Sequence, residues 1–91
     1  MKDNFRGNVV VITGASKGIG AELARQLAAR GARLALAARD TAALDAVAAE
    51  CRQPGAEVEV LRTDVAVESD CRQLIEWTVA RFGRLDTLVN N

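Results

Sequence analysis

The chain has 91 residues, of which 49% are hydrophobic and 26% are charged, as expected for one small globular domain. Twelve Lys and Arg residues balance twelve Asp and Glu residues, so the chain is not suited to coating nucleic acid or an anionic membrane. It contains no His and no Tyr, which excludes a Ser-His-Asp triad, a histidine-ligated zinc site and a phenol acid from these residues.

The cysteine count and the amino-terminal region indicate the compartment. Two cysteines are too few for a disulfide framework or a four-cysteine zinc site, so we expect no metal site. The first apolar run, residues 9–12, is too short for a signal-peptide core or a membrane span. We therefore expect a cytoplasmic protein with neither nucleic acid nor membrane as a partner.

The first half of the chain alternates short and long apolar patterns. Residues 9–12 form a β-branched run typical of a central strand that is buried on both faces. Residues 19–30 follow with apolar positions at helical spacing, and residues 33–38 predict a second strand. A second helix is predicted over residues 41–51, with Asp40 as its N-cap, and Pro54-Gly55 predicts the turn that follows.

The second half repeats the alternation. Residues 57–62 alternate polar and apolar side chains as an edge strand does, residues 68–82 have one apolar helical face, and residues 85–90 predict a fourth strand. A β-α-β-α-β-α-β order predicts an α/β fold with a parallel sheet and helices on both faces. Right-handed crossovers favour the strand order 3-2-1-4, with the first two helices on one face and the third on the other. Ligands bind such sheets at the carboxyl ends of the strands, where the winding direction reverses.

A glycine-rich turn joins the first strand to the first helix. It reads Thr13-Gly14-Ala15-Ser16-Lys17-Gly18-Ile19-Gly20, with the glycine spacing Gly-x-x-x-Gly-x-Gly. Glycines let backbone N–H groups approach a phosphate, and the helix N-terminus adds positive potential. The turn is not a P-loop, because Lys17 precedes the second glycine. A turn that only packs a helix against a strand is the structural alternative.

These residues resemble the short-chain dehydrogenase/reductase family, in the branch with Thr-Gly-x-x-x-Gly-x-Gly. Asp64-Val65 is similar to the family's adenine-binding pair, and residues 82–91 are similar to its approach to Asn-Asn-Ala-Gly. The resemblance covers residues 7–91 and implies a Rossmann-type sheet that binds a nicotinamide dinucleotide. Hydride transfer between that cofactor and a carbonyl or alcohol substrate is the reaction that it implies.

The resemblance also implies a role for each matching residue. Gly14, Ser16, Gly18 and Ile19 would line the pyrophosphate and ribose, and Gly20 would allow close packing of helix on strand. Asp64 would accept a hydrogen bond from the adenine amino group, and Val65 would contact the adenine ring. The ribose would be bordered by Asn90 and Asn91.

Charge at the end of the second strand predicts which dinucleotide is bound. NAD-binding domains typically have an acid there, which bonds the ribose 2′-hydroxyl. This chain has Ala38 followed by Arg39, and Lys17 lies in the glycine loop. Two cations without an acid favour a 2′-phosphate, so we expect NADP(H) to be preferred over NAD(H).

The family's catalytic Ser and its Tyr-x-x-x-Lys pair would follow Asn91, so no catalytic residue is assigned here. We expect residues 1–91 to be the NADP(H)-binding N-terminal half of the domain, incomplete relative to the family and inert alone. Substrate binding and any oligomer would need the missing half. A non-catalytic nucleotide-binding remnant or module is the alternative; an extended sugar-nucleotide epimerase fits less well, because its Gly-x-x-Gly-x-x-Gly spacing differs.

Overall fold

The computed structural model describes residues 5–53 and 55–91, and seven elements alternate along them. Their bounds are β1 (Val9–Thr13), α1 (Gly18–Ala29), β2 (Arg33–Ala38), α2 (Thr41–Arg52), β3 (Val58–Arg62), α3 (Glu68–Phe82) and β4 (Thr87–Val89). The order and type of every predicted element are confirmed, and most bounds agree to within one residue. Of the predicted turn, Pro54 lies outside the described residues, and the Gly55 N–H donates to the carbonyl of Arg52 at 2.9 Å.

All four strands are parallel, in the predicted order β3-β2-β1-β4. The central strand β1 is buried along its whole length, as its β-branched run predicts. Its register places Val11 opposite Ala35 on one side and opposite Leu88 on the other. The fold is therefore the predicted α/β sheet, with its direction of winding reversed between β1 and β4.

The helices cover both faces of the sheet, because alternate side chains of a buried strand point to opposite sides. One core joins α1 and α2 to β-strand residues that include Val10, Ile12 and Leu36. The other joins α3, through Leu74 and Phe82, to the opposite face. The prediction that α1 and α2 share one face while α3 covers the other is confirmed.

The fourth strand is shorter than the predicted strand over residues 85–90, and side chains take part in the bonding at both of its ends. The Asp86 N–H donates to the Val9 carbonyl at 2.9 Å, but the Val9 N–H in turn donates to the side chain of Asp86, at Oδ2, over 2.8 Å. Beyond Val89, the Asn91 N–H donates to Thr13 Oγ1 at 3.0 Å. Regular pairing is confined to the three residues between these two bonds.

The charge of Asp86 makes the stability of the fold depend on pH. Its Oδ1 lies 2.7 Å from a guanidinium nitrogen of Arg84. The bond from Arg84, and then the bond from the Val9 N–H, hold the pKa of Asp86 below its usual range. The unfolded-state pKa is about 3.9, so Asp86 stabilises the fold above that pH. The stabilisation is lost as the pH falls through the lower, folded-state pKa.

We therefore expect Asp86→Ala to lower the urea midpoint of unfolding at neutral pH. The difference from the unmodified chain should shrink in acid, below the folded-state pKa of Asp86. Exposed Asp45 on α2 provides the control, since Asp45→Ala removes the same charge and should leave the midpoint unchanged. An Asp86→Ala deficit of the same size at both pH values would contradict the role of the charge.

Candidate functional site

A groove of about 700 Å³ lies where the carboxyl ends of β1, β2 and β3 meet. The connections that follow these strands form its walls, because parallel strands all end at the same edge of the sheet. The residues that line it are Gly14, Ser16, Lys17, Ala38, Arg39, Asp40, Ala43, Thr63, Asp64, Val65, Ala66 and Asn91.

The glycine loop forms one wall of this groove, and the sheet fixes its position. Gly14 and Gly18 have φ angles of +62° and +60°, a region that side-chain-bearing residues rarely adopt. Between them, Ala15 is fully buried, and its N–H donates to the Ala37 carbonyl at 3.2 Å. The loop is thereby attached to β2 as well as to β1.

The third glycine of the loop lets α1 approach the loop closely. A Cβ on Gly20 would clash with the Gly14 carbonyl oxygen and would lie 2.7 Å from Asn91 Nδ2. Asn91 Nδ2 itself donates to the Gly14 carbonyl at 3.1 Å. The first turn of α1, the loop and the end of β4 therefore meet in a space that only glycine fits.

The amino end of α1 is positively polarised. Its N-cap, Lys17, is extended, and among the described residues no side chain caps the helix. The N–H groups of a first helical turn have no partner within the helix, and this turn contains no acid. Such an end favours an anion such as a phosphate.

Two exposed cations line the groove, Lys17 after β1 and Arg39 after β2. Asp40 also lines the groove, and one oxygen of its carboxylate accepts the Ala43 N–H at 3.1 Å as the N-cap of α2. Ala38 ends β2 and contributes no charge. This part of the groove is suited to an anionic group.

A hydrogen-bonded turn after β3 forms the opposite wall. Buried Thr63 anchors it, donating its N–H to the Ala38 carbonyl at 3.0 Å. Asp64 Oδ1 accepts the Ala66 N–H at 2.9 Å, and the Asp64 N–H donates to Asp70 Oδ2 at 2.9 Å. Val65 lies in this turn with 54% of its surface exposed, so an apolar side chain and a carboxylate face the groove together.

The structure brings most of the predicted site residues together. Seven line the groove, namely Gly14, Ser16, Lys17, Arg39, Asp64, Val65 and Asn91. Gly18, Ile19 and Gly20 form the first turn of α1, where Ile19 is 80% exposed and Gly20 is buried. Asn90 is exposed and is not among the lining residues; its Oδ1 accepts from Thr13 Oγ1 at 3.2 Å.

Sequence reasoning missed three polar residues that hold the site together. Thr13 joins β1 to the two asparagines, Thr63 anchors the turn after β3, and Asp70 bonds its backbone. The signals were present, since Thr13 follows the apolar run of β1, Thr63 directly follows β3, and each precedes a site residue. Their partners are distant in the chain or lie on another element, so only the fold reveals them.

A smaller depression, of about 460 Å³, lies at the opposite edge of the sheet and is lined by Arg6, Arg30 and Arg33 among others. It adjoins the carboxyl end of α1, whose terminal carbonyls repel anions. Within the described residues, no group of three or more Cys, Asp or Glu side chains is arranged to hold a metal ion. None of the helices described is both long and apolar enough to cross a membrane.

Comparison with known proteins places this geometry among known folds. The model of the short chain dehydrogenase family matches residues 8–91. An 11-beta-hydroxysteroid dehydrogenase-like protein, 4A, of Arabidopsis thaliana is 50% identical over 90 residues, which are 98% of this chain and 30% of that protein. The chain thus spans less than a third of this relative's length.

Solved structures agree in backbone as well as in sequence. A metagenomic short-chain oxidoreductase in complex with NADP superposes with a TM-score of 0.91 and 42% identity, over 96% of this chain and 39% of that one. An NAD+-bound xylitol dehydrogenase superposes with a TM-score of 0.90 and 33% identity, over 93% of this chain and 33% of that one.

Proposed function

The chain belongs to the short chain dehydrogenase family, and from that premise we propose that residues 1–91 are the NADP(H)-binding N-terminal half of an oxidoreductase domain. In the whole protein, this half would present NADP(H) for hydride exchange with a carbonyl or secondary alcohol. The names of the relatives, hydroxysteroid and xylitol dehydrogenases, support a substrate of that class. We also propose a cytoplasmic location.

One observation carries the choice of cofactor. Two cations line the groove: Lys17, from which the uncapped α1 begins, and Arg39, which follows uncharged Ala38 at the end of β2. The acid that lines the groove beside them, Asp40, is engaged as the N-cap of α2. A pyrophosphate fits the helix end. A 2′-phosphate fits beside Arg39 and Lys17, since a hydrogen bond to a charged group contributes about 1.5–3 kcal/mol.

The glycine loop fits a dinucleotide in shape as well as in charge. Gly14 and Gly18 have no side chains that would cover the backbone of the loop, and Gly20 lets α1 pack closely against the loop. Ser16, which lines the groove, and the backbone at Ile19 would contact the phosphates and the ribose.

The turn after β3 fits an adenine. Asp64 keeps one carboxylate oxygen on the Ala66 N–H, so the other would accept from the adenine amino group. Exposed Val65 would cover the face of the ring. At the glycine-loop side of the groove, Asn91 would border the ribose. Asn90 would help to hold Asn91 in place, since Thr13 Oγ1 accepts from the Asn91 N–H and donates to Asn90 Oδ1.

When bound, the cofactor would supply or accept the hydride, and the residues present here would position it. They would hold its phosphates and adenine, and Asn91 would fix the end of β4 against the loop through its bond to Gly14. The only lysine described in this half lies at position 17, and no Tyr is present, so the proton would be exchanged by residues elsewhere in the whole protein.

Titration calorimetry of the chain with NADP⁺ and with NAD⁺, at one fixed salt concentration, tests the proposed choice of cofactor. We expect NADP⁺ to bind about 10–150-fold more tightly, which corresponds to one charged hydrogen bond at the 2′-phosphate. Equal or tighter binding of NAD⁺ would overturn the choice of cofactor. Carbonyl-dependent oxidation of NADPH by the whole protein separates an oxidoreductase from a non-catalytic nucleotide-binding module, which would bind without turnover.

A further inference from the structure

We propose that Asp70 is a positioning residue for the adenine end of the groove. Its carboxylate fixes the turn after β3 from a place on α3, outside the groove wall. The proposal rests on the proposed function, since it concerns the part of the groove where Asp64 and Val65 would bind an adenine.

The contact joins two consecutive parts of the chain. Asp70 is the third residue of α3, and its Oδ2 accepts the Asp64 N–H at 2.9 Å. Both residues are half-buried, so the bond is partly shielded from water. A carboxylate accepting a backbone N–H forms one of the stronger hydrogen bonds available to a protein.

This bond completes the set of bonds that orient Asp64. Its carbonyl accepts the Val67 N–H at 2.9 Å, and its Oδ1 accepts the Ala66 N–H at the same distance. With Asp70 on its N–H, the backbone of Asp64 is held on both sides. The remaining carboxylate oxygen is then directed by the backbone rather than by contact with other side chains.

Other contacts hold the far end of this turn rather than Asp64: the N–H of Asp70 and that of Cys71 donate to the Val67 carbonyl, and the weak donor Cys71 Sγ lies 3.5 Å from the Val65 carbonyl. Thr63 before the turn is buried, whereas Val65, Ala66 and Val67 are exposed. Without the carboxylate of Asp70, we expect the Asp64 N–H to bond water and the turn to move relative to α3. By its place in the sequence alone, Asp70 would count only as a favourable charge near the positive end of α3.

The chain offers a matched control in the same helical turn. Glu68 is an exposed acid at the first residue of α3, and its carboxylate lies 3.5 Å from Arg72 rather than on the loop. Glu68→Gln removes one negative charge from the turn and keeps the bond to Asp64. Asp70→Asn removes the charge at Asp70 but keeps an oxygen that can accept the Asp64 N–H.

The experiment measures binding of adenosine 2′,5′-bisphosphate by calorimetry and hydrogen exchange of the Asp64 amide by NMR. We expect Asp70→Ala to weaken binding about tenfold and to speed exchange at Asp64 while the amides of β1 stay protected. Asp70→Asn, which keeps a weaker neutral acceptor, should lose less in both measurements than Asp70→Ala, and Glu68→Gln should stay close to the unmodified chain. In the whole protein, Asp70→Ala should raise KM for NADPH and leave kcat unchanged.

The outcomes separate this proposal from the one on which it rests. If the unmodified chain binds the bisphosphate and Asp70→Ala binds it equally well, the positioning role is wrong and the proposed function stands. Equal losses in Asp70→Asn and Glu68→Gln would also overturn it, since they would indicate a charge effect. Failure of the unmodified chain to bind would overturn both proposals. Should Asp70→Ala not fold, weakened binding by Asp70→Asn without faster exchange at Asp64 would contradict the role.

Discussion

We expect Gly20→Ala to weaken NADP(H) binding at least about tenfold and to lower the free energy of unfolding by about 1–3 kcal/mol, as overpacking of a close contact does. The added Cβ would clash with the Gly14 carbonyl oxygen and approach Asn91 Nδ2 to 2.7 Å. These atoms belong to the loop backbone and to a hydrogen-bonded side chain, so relief requires α1 to move away from the loop. The helix end and the glycine loop would then no longer face one phosphate together.

A second glycine separates this local effect from a general loss of stability. Gly83 ends α3 with a φ of +82°, and nothing lies within 4 Å of where its Cβ would be. Gly83→Ala should destabilise the fold by about 1–2 kcal/mol through backbone strain alone, far from the groove. Urea unfolding and calorimetry on both variants are the measurements. Equal binding losses in the two would contradict a specific role for Gly20.

The second large effect expected is a reversal of cofactor preference. Ala38→Asp with Arg39→Ala places a carboxylate at the end of β2 and removes a cation from the groove. The carboxylate would accept from a ribose 2′-hydroxyl and repel a 2′-phosphate, so NAD⁺ should bind more tightly than NADP⁺. Each charged hydrogen bond gained or lost contributes about 1.5–3 kcal/mol, or about 10–150-fold in affinity.

Arg62 provides the control for net charge. It is exposed at the end of β3 and is not among the residues that line the groove. Arg62→Ala removes one positive charge from the same edge of the sheet, and we expect it to leave the ratio of NADP⁺ to NAD⁺ affinity unchanged. If Arg62→Ala reduced that ratio as much as the double variant, long-range charge rather than contact would set the preference.

Strand and helix patterns in the sequence were sufficient for the topology. The β-branched run of β1 predicts a strand buried on both faces, and every residue of Val9–Thr13 is buried. The prediction of helix bounds at 68–82 succeeded because acids at its start and Gly83 at its end are local signals. The fourth strand was predicted too long because Asp86 and Thr13 form bonds across 77 and 76 positions of the chain, which no local pattern records.

Most residues of the candidate site could also be predicted from the sequence. Motif spacing selected residues that the fold brings to one groove, since each motif follows a strand and the strands end together. It did not reveal Thr13, Thr63 or Asp70, whose importance comes from the hydrogen bonds that they make in the fold. It also did not separate Asn91, which lines the groove, from Asn90, which bonds Thr13 and is not among the lining residues.

A crystal structure of the whole protein with NADP⁺ tests the central claim most directly. We expect the pyrophosphate at the amino end of α1, the 2′-phosphate beside Lys17 and Arg39, and the adenine against Asp64 and Val65. A 2′-phosphate directed away from both cations would contradict the account, as would a dinucleotide bound at the opposite edge of the sheet, near Arg6 and Arg30.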